Sequence, residues 1–187
     1  MNIKNSKIFV AGHNGLVGSA VVKKLKDLKY KKIITIEKKR LDLTNQNKVY
    51  KFLDIKKPDI VIICAAMVGG IKANNENRAK FIFDNLAIQN NLIHGSFLKG
   101  VKKLIFLGSS CVYPKLAKQP IKENYLLKSS LEETNEPYAI AKIAGIKLCE
   151  NYNKQYKTNY ISLRPKNAFG QNDNYNLDSS HFVPALI

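Results

Sequence analysis

The sequence predicts an α/β fold in which a parallel sheet is doubly wound with helices. Two observations lead to this class: short apolar β-type runs alternate with segments of helical periodicity, and a glycine-rich turn follows the first run near the N-terminus. The apolar runs read KIFVAG, KKIITIE, DIVIICAA, KKLIFLGSS and NYISLRP. This order of elements predicts a Rossmann-like core.

The segments between the runs carry their own signals. Thr44 is suited to cap a helix that runs through Val49, Phe52 and Leu53, and Pro58 marks the boundary before the third run. Residues 77–97 predict a long helix packed on the sheet. Its apolar positions are Phe81, Leu86, Ile88, Leu92 and Ile93. The polar stretch over 114–137 predicts a long functional loop.

Length and composition narrow the class of protein. With 187 residues and 45% hydrophobic content, the chain can bury one domain. Its longest apolar run, residues 60–68, is too short to span a membrane, so no membrane association is expected. Cys64, Cys111 and Cys149 lack the spacing of a metal site, and we expect reduced thiols, no metal and a soluble cytoplasmic protein.

A formal net charge of +17 raises the question of nucleic-acid binding. The lysines are spread along the whole chain in short groups, and no basic ribbon interleaved with aromatic residues is present. This pattern favours a solvated lysine-rich surface, so we expect no nucleic-acid partner. Binding of anionic nucleotides remains compatible with the charge.

The segment VAGHNGLVGSA places three glycines between a strand and a helix with G-x-x-G-x-x-G spacing. Glycines allow a tight turn and a close approach to a pyrophosphate, while the following helix N-terminus offers free N–H groups to the anion. The segment therefore predicts a dinucleotide-binding loop. It consists of Gly12, His13, Asn14, Gly15, Leu16, Val17 and Gly18.

The second strand is followed by Glu37, Lys38, Lys39 and Arg40, which carry mixed signals about the cofactor. A carboxylate at this position binds the adenine ribose hydroxyls of NAD, whereas cations pair with the 2′-phosphate of NADP. Three cations against one carboxylate favour NADP(H).

The segment EPYAIAKIAG carries Tyr138 and Lys142 four residues apart, on one face of a predicted helix. We expect Ile140, Ala144 and Leu148 of this helix to face the core. A nearby ammonium is expected to lower the pKa of the tyrosine, so that the phenol can exchange a proton with a carbonyl oxygen during hydride transfer. Ser109, at the end of the fourth run, is expected to hydrogen-bond the same oxygen.

Five segments together resemble the GDP-L-fucose synthase family, extended short-chain dehydrogenases/reductases that epimerise and reduce GDP-4-keto-6-deoxy-D-mannose. They read AGHNGLVGSA, CAAMVGGIKANN, FLGSSCVYPKLAKQPIKE, TNEPYAIAKIAGIKLCENYN and SSHFVPALI. The resemblance implies a homodimer formed by the long helix around residues 81–92 and the Tyr138 helix. It also implies the catalytic set Ser109, Tyr138, Lys142, Cys111 and His181.

The resemblance gives Cys111 and His181 the epimerisation step. A 4-ketone acidifies the protons on C3 and C5, and inversion needs one group to remove a proton and another to return it from the opposite face. Two plainer interpretations stay open: Cys111 as a small buried hydrophobic residue, and His181 as a cap of a helix that begins near Pro184. Packing is the expected role of Cys64, Cys149 and His94.

The resemblance also implies further cofactor contacts beyond the glycine loop. They are Lys38, Arg40, Asp42, Leu43, Ala65, Ala66, Leu107, Gly108, Pro165, Asn167, Ala168 and His181, and the loop of Val68, Gly69 and Gly70 helps to shape the sugar pocket. Asn14 stands where some relatives carry an arginine for the 2′-phosphate, which leaves that contact to Lys38 and Arg40. Lys166 and Ala168 depart from the family pattern beside the nicotinamide.

We expect an NADP-binding domain over residues 1–170 and the start of a truncated substrate-binding region over 171–187. Family members continue into a larger substrate domain; a truncated gene, an incomplete reading frame or a separate partner chain could each explain the difference. Two other functions stay open: another nucleotide-sugar epimerase or dehydratase of the superfamily, or a non-catalytic nucleotide-binding fragment.

Overall fold

A computed structural model describes residues 3–166 and 168–176. Five strands form one parallel sheet in the order β2-β1-β3-β4-β5. Their bounds are β1 Ile8–Ala11, β2 Ile33–Ile34, β3 Ile60–Ile63, β4 Lys103–Leu107 and β5 Tyr160–Leu163. Each strand falls within one of the five predicted runs, which confirms the predicted parallel α/β fold.

Within the described residues, five α-helices connect and cover the strands. They are α1 Leu16–Asp27, α2 Gln46–Lys56, α3 Ile71–Glu76, α4 Arg78–Leu98 and α5 Glu136–Tyr156, and short 3-10 helices span Ile3–Asn5, Ser110–Val112, Glu123–Tyr125 and Glu133–Asn135. Within the described residues, no helix is both long enough and apolar enough to cross a membrane.

The core lies on both faces of the sheet because alternate strand residues point to opposite sides. Ile8, Val10 and Ile60 pack with residues of α1 on one face. Phe9 and Val61 point to the other face and pack with α2, α4 and α5. Every residue of β1 and β3 is buried, as expected for the central strands of a doubly wound sheet.

Two of the predicted boundaries hold. The long helix α4 begins at Arg78 after its N-cap residue Asn77, with Phe81 and Leu92 buried against the core. Pro58 lies between the end of α2 and the start of β3. The predicted loop over 114–137 contains only short 3-10 turns before α5.

The prediction that Thr44 caps α2 is wrong. Asn45 is the N-cap residue, and its Oδ1 accepts a hydrogen bond of 3.0 Å from Lys48 N. The Thr44 hydroxyl instead donates to Asp42 Oδ1 over 2.7 Å, and its backbone N–H donates to the same oxygen. Both residues are good caps, and the Asp42 carboxylate decides between them by holding Thr44 in the preceding turn.

The prediction that Ile140 faces the core is also wrong. Ile140 is 41% exposed, whereas Ala139, Ile143 and Ile146 are buried. The buried stripe of α5 is therefore offset by one residue from the face that we expected. Small residues on both sides of the helix left its phase poorly defined in the sequence. Ala144 and Leu148, the other expected core residues, are partly buried.

The residues expected to serve packing do so. Cys149 is buried in the core, and the His94 ring lies among Tyr50, Phe97 and Tyr152. His94 Nδ1 also forms a hydrogen bond with the Tyr152 hydroxyl. All three cysteines are free thiols, and no group of His, Cys, Asp and Glu in the described ranges could hold a metal ion.

Candidate active site

Most of the predicted site residues follow the carboxyl ends of β1, β2, β3 and β4, whereas Tyr138 and Lys142 lie on α5 and Pro165 and Ala168 follow β5. Parallel strands bring these ends to one edge of the sheet, which is where ligands bind in open α/β folds. Cys64, the first residue after β3, donates its backbone N–H to Ala11 O of β1 over 2.9 Å. The loops after β1 and β3 are therefore joined directly.

The glycine turn packs α1 closely onto these loops. Gly12 has a φ of +83°, and a Cβ atom there would lie 2.5 Å from Ala65 N. A Cβ on Gly18 would lie only 2.0 Å from Gly12 O. Gly15 is different, because its nearest neighbour would be Gly12 O at 3.7 Å, so its outer side is open.

The N-terminus of α1 fits a phosphate group. Gly15 is the N-cap residue and provides no side-chain acceptor, so the first helical N–H groups have no partner from a capping side chain. The helix dipole also favours an anion at this end. The open side of Gly15 leaves room for the anion to approach the backbone.

The loop after β2 carries the charged side chains that bear on the preference between NAD and NADP. Lys39 Nζ lies 3.0 Å from Glu37 Oε2, so the carboxylate that would favour NAD is paired with a cation. Lys38 and Arg40 are exposed beside this pair. Hydrogen bonds from the Thr44 hydroxyl and N–H lower the pKa of Asp42 and keep its carboxylate charged.

Ser109 and Cys111 follow β4 in a 3-10 turn. Ser109 is the N-cap residue of this turn, and its Oγ accepts from Cys111 N over 3.4 Å. Burial raises the pKa of the Cys111 thiol, and its weaker interactions with Ser109 and Lys142 oppose that rise. Cys111 is therefore held as a protonated thiol, the form that can donate a proton.

Lys142 is 3% exposed and lies at the centre of the site. Its Nζ donates to Leu107 O over 2.8 Å and lies 4.7 Å from the Phe106 ring centroid and 5.6 Å from that of Tyr138. Burial lowers the pKa of Lys142 to about 8. Tyr138 and Cys111 interact electrostatically. The structure thus brings together four of the five residues predicted to be catalytic.

The expected lowering of the Tyr138 pKa does not occur. Burial raises the pKa of Tyr138 well above its ordinary value, and Cys111 adds to the rise. The ammonium of Lys142 faces the aromatic ring and donates to a main-chain carbonyl, and it is itself disfavoured by burial. Desolvation acts on both groups, and helical spacing alone does not report it.

A set of hydrogen bonds that sequence reasoning missed fixes the beginning of α5. The Glu132 carboxylate accepts from the backbone N–H groups of Thr134 and Asn135 and from both of their side chains, over 2.6 to 3.1 Å. Arg78 of α4 donates to Glu133 O over 2.9 Å and contacts the Glu136 carboxylate at 3.4 Å. The Glu-x-Thr-Asn pattern at residues 132–135, just before a helix, was the feature of the sequence that could have indicated these capping hydrogen bonds.

Buried amides of α3 and α4, also missed, hold two further loops of the site. Asn85 binds Met67 after β3, Asn74 binds Gly69 O and Gly70 O, and Asn91 reaches the loop after β2. Polar residues within an apolar helical pattern were the only signal, and a sequence does not name their partners.

The segment after β5 returns towards the glycine turn. An ideal Cβ at Gly170 would lie 3.6 Å from the Leu16 side chain, and Asn172 Nδ2 donates to Ser19 Oγ over 3.2 Å. Pro165 and Ala168 are exposed in this segment. Asn167 and His181, both predicted site residues, lie outside the described residues.

Comparison with known proteins finds a family that matches this chain and relatives that are similar to it. The model of the "NAD dependent epimerase/dehydratase family" matches residues 8–187. The GDP-L-fucose synthase of Sinorhizobium fredii is 54% identical over 185 residues, a match covering 99% of this chain and 59% of the relative.

Solved structures with the same fold include two with NADP bound. The GDP-mannoheptose C4 reductase of Campylobacter jejuni with NADP bound has a TM-score of 0.92 and 45% identity, and covers 98% of this chain and 54% of that one. The GDP-L-fucose synthetase of Naegleria fowleri bound to NADP has a TM-score of 0.89 and 32% identity, with 98% and 60% covered. The chain thus spans little more than half the length of each of these relatives.

Proposed function

Because the chain belongs to the NAD dependent epimerase/dehydratase family, we propose that it forms the cofactor-binding and catalytic part of a GDP-L-fucose synthase. Such an enzyme is an oxidoreductase and isomerase that converts GDP-4-keto-6-deoxy-D-mannose to GDP-L-fucose. The observation that carries the proposal is the half-buried thiol of Cys111 next to Ser109, Tyr138 and Lys142. A reductase needs only the last three, whereas an epimerase also needs groups that move protons on carbon.

We propose a division of the chain into two parts. Residues 1–170 form the NADP-binding domain, and residues 171–187 begin the substrate-binding region. The share of the relatives that this chain spans supports this division.

We infer that the cofactor is NADP(H). The glycine turn would hold the pyrophosphate, and Lys38 and Arg40 would contact the 2′-phosphate through charge-assisted hydrogen bonds. Pairing of Glu37 with Lys39 supports this preference, because it neutralises the carboxylate that recognises a free ribose. When bound, NADPH supplies the hydride that reduces C4. The proposed contacts are Gly12–Gly18, Lys38, Arg40, Asp42, Leu43, Ala65, Ala66, Leu107, Gly108, Ser109, Lys142, Pro165, Asn167, Ala168 and His181.

In the reduction, Tyr138 gives a proton to the C4 oxygen and Ser109 donates a hydrogen bond to the same oxygen. The raised pKa of Tyr138 keeps its phenol protonated at neutral pH, which is the form this step needs. Lys142 is fixed by its hydrogen bond to Leu107 O, so its position beside the tyrosine ring is set by β4.

In the epimerisation, the 4-ketone makes the protons on C3 and C5 acidic. We propose that one of Cys111 and His181 removes each proton and that the other returns one to the opposite face. Burial keeps the Cys111 thiol protonated, so Cys111 is suited to the returning step. The proton that the base removes balances the one that the acid delivers.

We also infer a cytoplasmic homodimer. Phe83 of α4 is 69% exposed and Ile140 of α5 is 41% exposed, and the two helices pack side by side. Apolar faces on neighbouring helices can pair across a two-fold axis. The ends of the predicted dimer segment, Phe81 and Leu92, are core residues and take no part. The free thiols support a reducing compartment.

The test uses this chain completed with the substrate half of a GDP-L-fucose synthase, in D₂O with NADPH. Cys111→Ser should lose deuterium incorporation at C3 and C5 by about 10²–10⁴-fold, because a hydroxyl is a far weaker acid than a thiol. Tyr138→Phe should keep the incorporation and lose NADPH oxidation by a similar factor. Unchanged incorporation in Cys111→Ser would refute the proposed role of the thiol.

A second candidate is C4 reduction of a GDP-heptose without epimerisation. The similarity to the C4 reductase of Campylobacter jejuni favours it. NADPH oxidation with a GDP-4-keto-heptose and no deuterium at C3 or C5 would choose this function. Equal turnover by the 187-residue chain and the completed chain would show that the added half is not needed, and cofactor binding without turnover in both would indicate a non-catalytic protein.

A further inference from the structure

Helix α4 carries amide side chains on its buried face. Asn85, Gln89 and Asn91 are each 5% exposed or less. Buried polar groups are stable only when they are hydrogen-bonded, so the partners of these amides indicate what each one holds. Gln89 donates to Ala141 O of α5 over 2.6 Å, which joins the two long helices. The other two amides reach away from the helices to loops.

Asn85 holds the loop after β3 through both halves of its carboxamide. Its Oδ1 accepts from Met67 N over 2.9 Å, and its Nδ2 donates to Met67 O over 2.9 Å. The same Nδ2 also donates to Phe81 O within α4 over 2.7 Å. One side chain thus satisfies both polar groups of a loop residue, in the way that a neighbouring strand would.

Asn91 holds the loop after β2 from the same helix. Its Nδ2 donates to Leu43 O over 2.9 Å and to Thr44 O over 3.0 Å. This loop also contains Asp42, whose carboxylate binds Thr44. Asn85 and Asn91 lie six residues apart in sequence, and each contacts a different loop of the site.

We propose that α4 positions two parts of the site independently, with Asn91 fixing the loop on the adenine side and Asn85 fixing the loop on the sugar side. The naming of the two sides rests on the proposed function. The independence rests on the hydrogen bonds alone, because within the described residues neither amide forms a hydrogen bond with the loop held by the other. Both residues act through the loops and are positioning residues.

The variants are Asn85→Leu and Asn91→Leu, which keep approximate size and remove all hydrogen bonding. Ser96→Ala is the matched control: Ser96 is fully buried on α4, and its Oγ has no hydrogen-bond partner in the described structure. Circular dichroism checks that each variant folds. If a leucine variant does not fold, the aspartate variant at the same position removes the donated hydrogen bonds while retaining an acceptor.

Two measurements on the chain distinguish the effects of each variant on the two loops. Hydrogen–deuterium exchange followed by mass spectrometry reads residues 41–45 and 64–70. Titration with 2′,5′-ADP, which carries only the adenine half of NADP, reads the adenine side. Asn91→Leu should speed exchange in 41–45 and weaken 2′,5′-ADP binding about 5-fold or more. Asn85→Leu should speed exchange in 64–70, with 2′,5′-ADP affinity within about 2-fold of wild type.

In the completed chain, the same split should appear in the kinetics. Asn91→Leu should raise the KM for NADPH, and Asn85→Leu should raise the KM for the GDP-sugar. The proposal would be overturned if either leucine variant lost exchange protection in both loops, or if neither loop lost protection. It would also be overturned if Ser96→Ala lost as much protection as the leucine variants. Wild-type protein that does not bind 2′,5′-ADP would refute the proposed cofactor instead, and the exchange result would still decide whether the two loops are held independently.

Discussion

Substitution of Gly18 by alanine tests how closely the glycine turn is packed. The new Cβ would lie 2.0 Å from Gly12 O and 2.7 Å from Gly12 C, whereas ordinary contacts begin at 3.4 Å. Helix α1 and the turn must therefore separate by about 1.4 Å. The clashing atoms of Gly12 belong to the main chain, so no side chain can rotate away to relieve the clash. Overpacking commonly costs about 1–3 kcal/mol, and a clash between two backbone segments belongs at the upper end of that range.

Urea unfolding measures this loss. With an m value of about 2 kcal/mol/M, a loss of about 3 kcal/mol lowers the midpoint by about 1.5 M. Gly15→Ala is the matched control, because its Cβ would meet Gly12 O at an ordinary 3.7 Å and its backbone has a φ of −81°. We expect Gly15→Ala to lose less than about 1 kcal/mol of stability.

Cofactor titration separates the two glycines further. The Gly15→Ala methyl group points to the open side where a pyrophosphate would approach, so NADPH affinity should fall about tenfold or more, equal to about 1.4 kcal/mol. Equal stability of Gly18→Ala and wild type would refute the packing argument. Unchanged NADPH affinity in Gly15→Ala would refute the placement of the anion.

Two further predictions concern charge and assembly. Lys142→Met should be more stable than wild type at pH 7, because the buried ammonium has a pKa of about 8 against an ordinary 10.5. Between these two pKa values only the unfolded chain holds the proton on Lys142, so the unfolding free energy of the wild type rises with pH. Urea unfolding should therefore show that the stability difference between Lys142→Met and wild type decreases by about 1.4 kcal/mol per pH unit above pH 8. Phe83→Glu should weaken dimerisation about 100-fold or more in light scattering, because each copy loses a large apolar contact. The control Leu116→Glu, at a residue that is 92% exposed, should leave dimerisation unchanged. A constant stability gap across pH 8–10, or a wild-type monomer, would contradict these predictions.

The parts of the fold that sequence predicts well are those with strong local causes. The strands β1 and β3 are uninterrupted apolar runs because helices cover both faces of the sheet. Gly18 is required by its contact with Gly12 O, six residues away, and the G-x-x-G-x-x-G spacing marks both positions in the sequence, although Gly12 also meets Ala65 after β3. Such signals depend on short stretches of chain, so they are readable before any tertiary structure is known.

The parts that sequence did not predict depend on tertiary contacts. The N-cap position of α2 is decided by a carboxylate, and the phase of α5 by its packing against α4 and the sheet. The amides of α4 are a clearer case, because Asn91 contacts a loop 47 and 48 residues away in sequence. A polar residue in a helix can be recognised from sequence, but its partner cannot.

The electrostatics of Tyr138 and Lys142 suit the proposed reduction better than the reverse oxidation. Oxidation of an alcohol requires a base to take its proton, and a phenolate is the form of tyrosine that can do so. Burial disfavours that phenolate, since it raises the pKa of Tyr138 and lowers that of Lys142 to about 8, which weakens the cation that would stabilise it. In the proposed reduction, the protonated phenol would instead deliver a proton to the C4 oxygen. The same low-dielectric surroundings keep Cys111 as a thiol, so burial keeps both groups protonated, as the proposed roles of the two residues require.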